Sequence, residues 1–219
     1  MKYKYLLFDL DGTLVDTREG VFKSAQYALK HFNIFPEMKD MAPFFGPPLK
    51  QSFTCLYGLN DVESDRAVEL YLERYEKKGV EESKVFDQIP SLLSRLKELG
   101  YKLGVATSKY EGHAIETLKY YKLDVYFDYI AGATIDESIS KKHEVIEELL
   151  KRFGIHNKRS DALMIGDTKY DIIGAKTAGI DSLGIYTGTA GKNELENEGA
   201  SFVAYSFEEL KKLLIDEFA

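Results

Sequence analysis

The chain has 219 residues, enough for one α/β core with an attached smaller domain. Its 36 acidic residues outnumber its 29 basic ones and give a net charge of −7, which argues against nucleic acid as a partner because no basic face can neutralise phosphates. The single Cys55 cannot close a disulfide within the chain, and the four histidines lack metal-ligand spacing, so a structural zinc site is not expected.

Short apolar runs alternate along the chain with segments of helical period, the pattern of a parallel sheet that is covered on both faces. The predicted strands span residues 5–8, 102–107, 127–132, 162–167 and 182–186. Helices with clear ends lie between them at 90–100, which starts at a proline, and at 141–154, which ends at a glycine, and a last helix begins at Ser206. The predicted fold class is α/β, a Rossmann-like doubly wound parallel sheet.

Residues 16–84 break this alternation, because they contain helical segments at 18–32, 47–58 and 61–79 and no predicted strand. A wholly helical block after the first strand is better explained as a separate small domain than as a solvated linker. We therefore predict a core domain formed by residues 1–15 and 85–219, with a helical domain of residues 16–84 inserted into it.

Polar residues follow three of the predicted strands. Asp9 and Asp11 end the first, Thr107 ends the second, and Asp167 ends the fourth, with Asp171 four residues further on. Ligands of open parallel sheets bind at the carboxyl ends of the strands, so three carboxylates would meet in one crevice if these strands are neighbours. Carboxylates crowded in this way would repel each other unless a cation lies between them, and Mg²⁺ is the hard ion that fits oxygen ligands and a phosphate.

Each of these residues also has an ordinary structural explanation. An Asp pair before glycine is common in turns, Thr107 could be a strand-end hydroxyl, and Asp171 could be a charge at a helix N-terminus. Lys141 and Lys142 would be a solvated pair if no anion lay near them. Only the combination indicates a site.

That combination resembles a known family. The segments DLDGTLVDT, VATSK, SKKHEVI and IGDTKYDIIGAKTAG are similar, in order and spacing, to the four motifs of the haloacid dehalogenase superfamily and its phosphatases. The helical insertion resembles the C1-type cap of the phosphoglycolate phosphatase-like branch, as do GPPLKQSF and the C-terminal segment NELENEGASFVAYSFEELKKLL. The resemblance thus extends over essentially the whole chain.

The resemblance implies a role for each motif residue. Asp9 would be the nucleophile that forms an aspartyl phosphate, and Asp11 would protonate the leaving oxygen and then deprotonate the incoming water. Thr107 would hold phosphoryl oxygens and Lys142 would neutralise phosphate and nucleophile together. The Mg²⁺ cofactor would be bound by the following residues: Asp9, Asp11 through its carbonyl, Asp167, and Asp171 in or just outside the ligand shell.

Other residues are candidates for contact with the substrate. Gly12 leaves room for close backbone approach, and Ser108 and Lys109 follow Thr107 in the second motif. In the inserted domain, Lys50 and Arg18 could read the leaving group, and the segment FFGPPLKQSF is the part most expected to face inward. The third motif lacks the proline that often follows its lysine, so Lys141 remains an alternative to Lys142.

The activity predicted from the resemblance is Mg²⁺-dependent hydrolysis of a small phosphorylated metabolite, such as 2-phosphoglycolate, a sugar phosphate or a nucleotide. Two alternatives remain open, a β-phosphoglucomutase-like phosphomutase of the same fold and a non-enzymatic phospho-acceptor. The N-terminus enters a strand without a signal sequence and no apolar window approaches 18 residues, so we expect a cytoplasmic protein without a membrane partner, as monomer or homodimer.

Overall fold

The computed structural model describes residues 2–136 and 138–219 and has a six-stranded parallel sheet at its centre. Its strands lie in the order β5-β4-β1-β6-β7-β8, and all adjacent pairs are parallel. The strands of this sheet are β1 Tyr5–Phe8, β4 Lys102–Tyr110, β5 Tyr129–Ala133, β6 Ala162–Gly166, β7 Asp181–Ile185 and β8 Phe202–Ala204. Counted within the sheet, this is the order 3-2-1-4-5-6 of doubly wound α/β folds, which confirms the predicted fold class.

Both faces of the sheet are buried, which explains why the strands are almost continuously apolar. Leu6 and Phe8 of β1 point into one core, and Leu7 points into the core on the opposite face. The helices that cover the sheet are α4 Ile89–Glu98, α5 Glu111–Tyr120, α6 Lys142–Arg152, α7 Lys169–Ala178, the short α8 Glu194–Asn197, and α9 Phe207–Lys212. Residues of α4 and α9 pack in the first core, and residues of α6 and α7 pack in the second.

The segment between β1 and α4 folds largely as helices around a third, separate hydrophobic cluster. Its helices are α1 Arg18–Lys30, α2 Leu49–Tyr57 and α3 Asp61–Arg74, and a π-helical turn, Tyr75–Gly79, extends α3. Phe53, Tyr71 and Tyr75 lie at the centre of the cluster. A separate core is what an inserted domain requires, although the division at residues 16 and 84 stays a prediction.

The expectation that residues 16–84 contain no strand is wrong at both ends. The chain enters and leaves the helical segment through two short strands, β2 Val15–Asp16 and β3 Lys84–Val85. These two strands pair with each other in antiparallel orientation. Two residues are too few for a sequence pattern to reveal. The predicted domain boundaries fall within these strands.

The sequence also missed β8 at the edge of the sheet. Phe202–Ala204 is only three residues long and pairs along a single edge with β7. Within the described part of the chain, no helix is both long enough and apolar enough to cross a membrane.

Candidate active site

The site lies at the carboxyl end of the sheet, where the strand order reverses. β1 runs between β4 and β6, so the residues that follow these three strands meet at one edge. The amide of Asp9 still donates to the carbonyl of Ile165 at 2.8 Å, which continues the β1–β6 ladder and fixes where Asp9 emerges. Of the three carboxylates predicted to converge, Asp9, Asp11 and Asp167, the first and the last come within 4.8 Å of each other at this edge.

Three buried carboxylates form the centre of the site. Asp9, Asp167 and Asp171 each offer an oxygen, and these oxygens lie within 4.8 Å of one another. Burial raises the pKa of Asp9 to about 7, although the charge of Lys142 opposes this. Burial, with the charges of Asp171 and Asp9, also raises the pKa of Asp167 well above its usual range. Without a cation the charged forms of Asp9 and Asp167 are disfavoured.

Lys142 supplies one positive charge to this cluster. Its Nζ lies 2.7 Å from Oδ1 of Asp9 and 2.9 Å from Oδ1 of Asp171, and it donates to the Ala106 carbonyl at 3.0 Å. Burial by itself lowers the pKa of Lys142, but the two carboxylates raise it above the usual value. Lys141 is exposed at the start of α6. Of the two candidate lysines, Lys142 is the one that faces the site.

Threonine hydroxyls hold the carboxylates in place. Thr13 donates to Oδ1 of Asp167 at 2.9 Å, and Thr187 donates to its Oδ2 at 3.3 Å. Thr168 donates to Oδ2 of Asp171 through its amide at 3.0 Å and its hydroxyl at 2.8 Å, so Asp171 also caps α7. Sequence analysis missed these threonines, although Thr13 and Thr168 directly adjoin motif residues.

Two glycines allow the carboxylates to come this close to the backbone. A Cβ at Gly12 would lie 2.2 Å from Oδ2 of Asp167, and the φ of Gly12 is +88°. A Cβ at Gly166 would lie 2.2 Å from Cγ of Asp171. Gly12 thus lets the Asp167 carboxylate approach the backbone closely, and contact of Gly12 with the substrate stays a prediction.

The residues fit a divalent cation of the Mg²⁺ type. All three clustered side chains offer hard oxygen ligands, and these oxygens lie within 4.8 Å of one another. A cation here would offset the burial and the charges of Asp171 and Asp9 that together raise the pKa of Asp167. Asp11, the fourth predicted ligand, does not add its carboxylate to this cluster.

The Asp11 side chain is instead held by Lys109. The Lys109 Nζ lies 3.0 and 3.1 Å from the two Asp11 carboxylate oxygens and donates to the Tyr75 hydroxyl at 2.8 Å. Burial lowers the pKa of Lys109, but Asp11 and Tyr75 together raise it. Because Tyr75 belongs to the helical segment, this contact joins that segment to the sheet. Sequence analysis missed Tyr75, which looks like an ordinary core position of its helix.

A cavity of about 460 Å³ opens over the site, between the sheet edge and the helical segment. Thr107, Ser108 and Lys142 line it on the sheet side, and all residues from 44 to 50 line it on the other side. The expected inward position of FFGPPLKQSF is therefore confirmed for residues 44–50. A Cβ at Gly46 would lie 2.2 Å from the ring of Tyr170, so this glycine lets the segment touch α7.

Lys50 and Arg18 have different surroundings. Lys50 lines the cavity, but its Nζ pairs with Asp65 at 2.7 Å and Asp61 at 3.5 Å. Arg18 is not among the lining residues, and both ends of its guanidinium donate to Asp16. Contact of either residue with the substrate stays a prediction, and the position of Arg18 does not support it.

Comparison with known proteins gives a consistent result. The family model of haloacid dehalogenase-like hydrolases matches residues 6–185, which include all four motifs. A 5′-nucleotidase of Pseudomonas aeruginosa is 39% identical over 89% of this chain and 88% of its own length. The pyrophosphatase PpaX of Bacillus velezensis is 32% identical over 82% of each chain.

A solved structure agrees in fold. The crystal structure of a predicted phosphatase from Clostridium acetobutylicum has a TM-score of 0.94 and 40% identity, and the match covers 99% of this chain and all of that one. Because the match covers nearly every residue of both chains, it includes the helical segment as well as the sheet.

Proposed function

The chain belongs to the haloacid dehalogenase-like hydrolase family and is a phosphatase, and on this basis we propose that it hydrolyses a small phosphomonoester with Mg²⁺ through an aspartyl phosphate on Asp9. The observation that carries the proposal is the meeting of Asp9, Asp167, Asp171 and Lys142 beneath one cavity at the switch point of the sheet.

In the first step the Asp9 carboxylate attacks phosphorus, so that an O–P bond forms as the bond to the leaving oxygen breaks. Lys142, 2.7 Å from Asp9, holds the nucleophile and can share its positive charge with an incoming phosphoryl oxygen. The hydroxyl of Thr107, which lines the cavity, offers that phosphoryl group a hydrogen bond. Asp11, protonated on one oxygen that has turned from Lys109 toward the substrate, gives this proton to the leaving oxygen.

In the second step the now ionised Asp11 takes a proton from water, whose oxygen attacks phosphorus and releases Asp9 and inorganic phosphate. The metal would be held by the Asp9 and Asp167 carboxylates and the Asp11 carbonyl, with Asp171 in support, and when bound it neutralises charge on the phosphoryl oxygens. The ion pair of Asp171 with Lys142 keeps the lysine turned toward Asp9.

The cap of residues 16–84 would close the reaction off from bulk water. Tyr75 contacts Lys109, which in turn contacts the Asp11 carboxylate, so cap position and the orientation of the proposed acid are coupled through one amino group. Lys109 is therefore better described as orienting Asp11 than as binding substrate.

The variant Tyr75→Phe tests this coupling, because it keeps the ring stacked on Tyr71 but removes the hydroxyl that accepts from Lys109. We expect kcat to fall about threefold to tenfold for an alkyl phosphate. This is less than the roughly 10²–10⁴-fold effect of a positioned acid, because Asp11 itself is still present. p-Nitrophenyl phosphate should lose less, because its leaving group needs little protonation. Tyr27→Phe on the exposed cap surface is the matched control, and an equal loss on both substrates would assign Tyr75 to packing alone.

The finer substrate prediction, a phosphoglycolate-like substrate whose organic group is glycolate, stays a prediction. The relatives carry names that refer to nucleotides and to pyrophosphate, so the leaving group varies among similar chains. A panel of 2-phosphoglycolate, nucleoside 5′-monophosphates, pyrophosphate and glucose 1-phosphate would compare these classes directly.

The same panel tests hydrolysis against phosphoryl transfer. With Mg²⁺ present, we expect stoichiometric release of inorganic phosphate and the free alcohol from the best substrate. A phosphomutase would instead convert glucose 1-phosphate to an isomeric sugar phosphate with no inorganic phosphate released. That outcome would contradict the proposed function.

A further inference from the structure

The cavity is larger than its phosphoryl site needs. Asp9, Thr107 and Lys142 lie at the phosphoryl site, and the rest of its 460 Å³ is bounded by the cap and by further residues at the sheet edge. A leaving group as small as glycolate would leave apolar wall atoms without contacts, which forfeits dispersion energy. The volume lies in the range of sites that bury a whole organic ligand.

The cap side of this cavity is an aromatic wall, which we define as Phe44, Phe45, Tyr71 and Tyr75. The rings of Tyr71 and Tyr75 are stacked, with centroids 5.5 Å apart and an interplanar angle of 8°. Phe44 lies 6.2 Å from Tyr71, and Phe45 packs edge-on against Phe22 at 5.4 Å. Rings that pack on one another in this way form a rigid surface that favours flat groups.

The basic side chains that line the cavity already have acidic partners. Lys50 pairs with Asp65, Lys109 with Asp11, and His113 lies 2.9 Å from Glu76. Lys142, the remaining lysine of the lining, pairs with Asp9 and faces the phosphoryl site. Within residues 2–136 and 138–219, the cavity therefore offers no unpaired cation for a second anionic group, whose burial without a partner would be costly.

We infer that the leaving group is an uncharged nucleoside with a flat base. Nucleoside 5′-monophosphates would then be preferred over 2-phosphoglycolate and pyrophosphate. The aromatic wall takes the base by stacking, as rings do in single-strand binding sites. Ser108 and Ser140 line the sheet side of the cavity and offer hydroxyls to the sugar. This inference rests on the proposed function, since it concerns the leaving group of the same reaction.

The first measurement is kcat/KM of the wild-type protein with Mg²⁺ for AMP, UMP, 2-phosphoglycolate, pyrophosphate and p-nitrophenyl phosphate. We expect both nucleotides to exceed 2-phosphoglycolate and pyrophosphate by about tenfold or more, the effect of base–aromatic stacking. Preference for 2-phosphoglycolate or pyrophosphate would overturn the inference while leaving the proposed function in place. If phosphate is released from none of the five, the proposed function fails and the inference fails with it.

A second measurement adds a cation to the wall region. Val68 lines the cavity on α3, and Val62 is 78% exposed on the same helix. Val68→Lys should lower kcat/KM for AMP and raise the ratio of 2-phosphoglycolate to AMP by about tenfold. Val62→Lys adds the same charge outside the cavity and should leave the ratio unchanged. Equal shifts in the two variants would overturn the role of the wall.

A milder pair of variants guards against loss of folding in Val68→Lys. Phe45→Leu removes one ring of the wall and keeps an apolar side chain, while Phe35→Leu makes the same change at a residue that is 70% exposed. We expect Phe45→Leu to lower kcat/KM severalfold for AMP but not for 2-phosphoglycolate. An equal loss for both substrates would contradict stacking on this wall, and so would no loss for either.

Discussion

Asp9→Asn is expected to lower kcat by about four orders of magnitude or more, because an amide cannot attack phosphorus as the carboxylate does. The side chain is nearly isosteric, and Lys142 keeps its second partner, Asp171, at 2.9 Å. The fold should therefore persist, with a melting temperature close to that of the wild type. The measurement is turnover of p-nitrophenyl phosphate together with thermal unfolding of both proteins.

The matched control is Asp87→Asn, which removes one negative charge from a side chain that is 82% exposed. Full activity of this variant would show that the loss in Asp9→Asn comes from the site and not from net charge. Rapid-quench analysis should find phosphate bound to the wild-type protein and none on Asp9→Asn. Substantial turnover by Asp9→Asn would mean that water attacks the substrate directly, and the covalent step would be abandoned.

Removal of divalent cations is expected to abolish turnover, and Mg²⁺ should restore it. Burial and the nearby carboxylates raise the pKa of Asp9 and of Asp167, so without a cation the charged forms of these two groups are disfavoured. Ca²⁺ should support little activity, because its longer and more numerous ligand contacts disturb in-line geometry. Full activity in excess EDTA would contradict the metal assignment.

Binding can be measured without turnover. A ligand that binds only the native state at 100 times its Kd stabilises it by about 2.7 kcal/mol, which corresponds to roughly 5–10 °C for a chain of this size. Mg²⁺ should raise the melting temperature of the wild type and of Asp87→Asn by this amount. Asp167→Asn should lose most of the increase, since it replaces a ligand that is fully buried and held by Thr13. A full increase in Asp167→Asn would place the ion elsewhere.

Local sequence specified five of the six strands of the sheet and the polar residues Asp9 and Asp167 that follow two of them. Apolar runs of four to five residues, such as Tyr5–Phe8 and Ala162–Gly166, are legible because strands buried on both faces cannot tolerate polar side chains. The polar residues that end those runs, Asp9 and Asp167, stand out for the same reason. Helix ends could be predicted where the backbone conformation requires glycine, as at Gly100 and Gly154, which both have positive φ.

Pairing between distant segments was decided only by tertiary structure. The two-residue strands β2 and β3 and the edge strand β8 carry too little pattern to be seen alone, and they exist because a partner strand lies beside them. Tyr75 was hidden for a similar reason. Its spacing in the predicted helix 61–79 is that of a core residue, and its contact with Lys109 depends on how the helical segment packs against the sheet.

Lys141 and Lys142 illustrate the difference between what local sequence determines and what tertiary structure determines. The sequence by itself determined that a lysine pair starts α6 and that carboxylates end the strands nearby. Which lysine turns inward depends on the rotation of α6 against α7, where Gly174 lies so close to the Lys142 side chain that a Cβ there would be 2.6 Å from its Cγ. That contact and the ion pairs with Asp9 and Asp171 join segments more than 25 residues apart, and the free energy of such contacts exists only once the chain has folded.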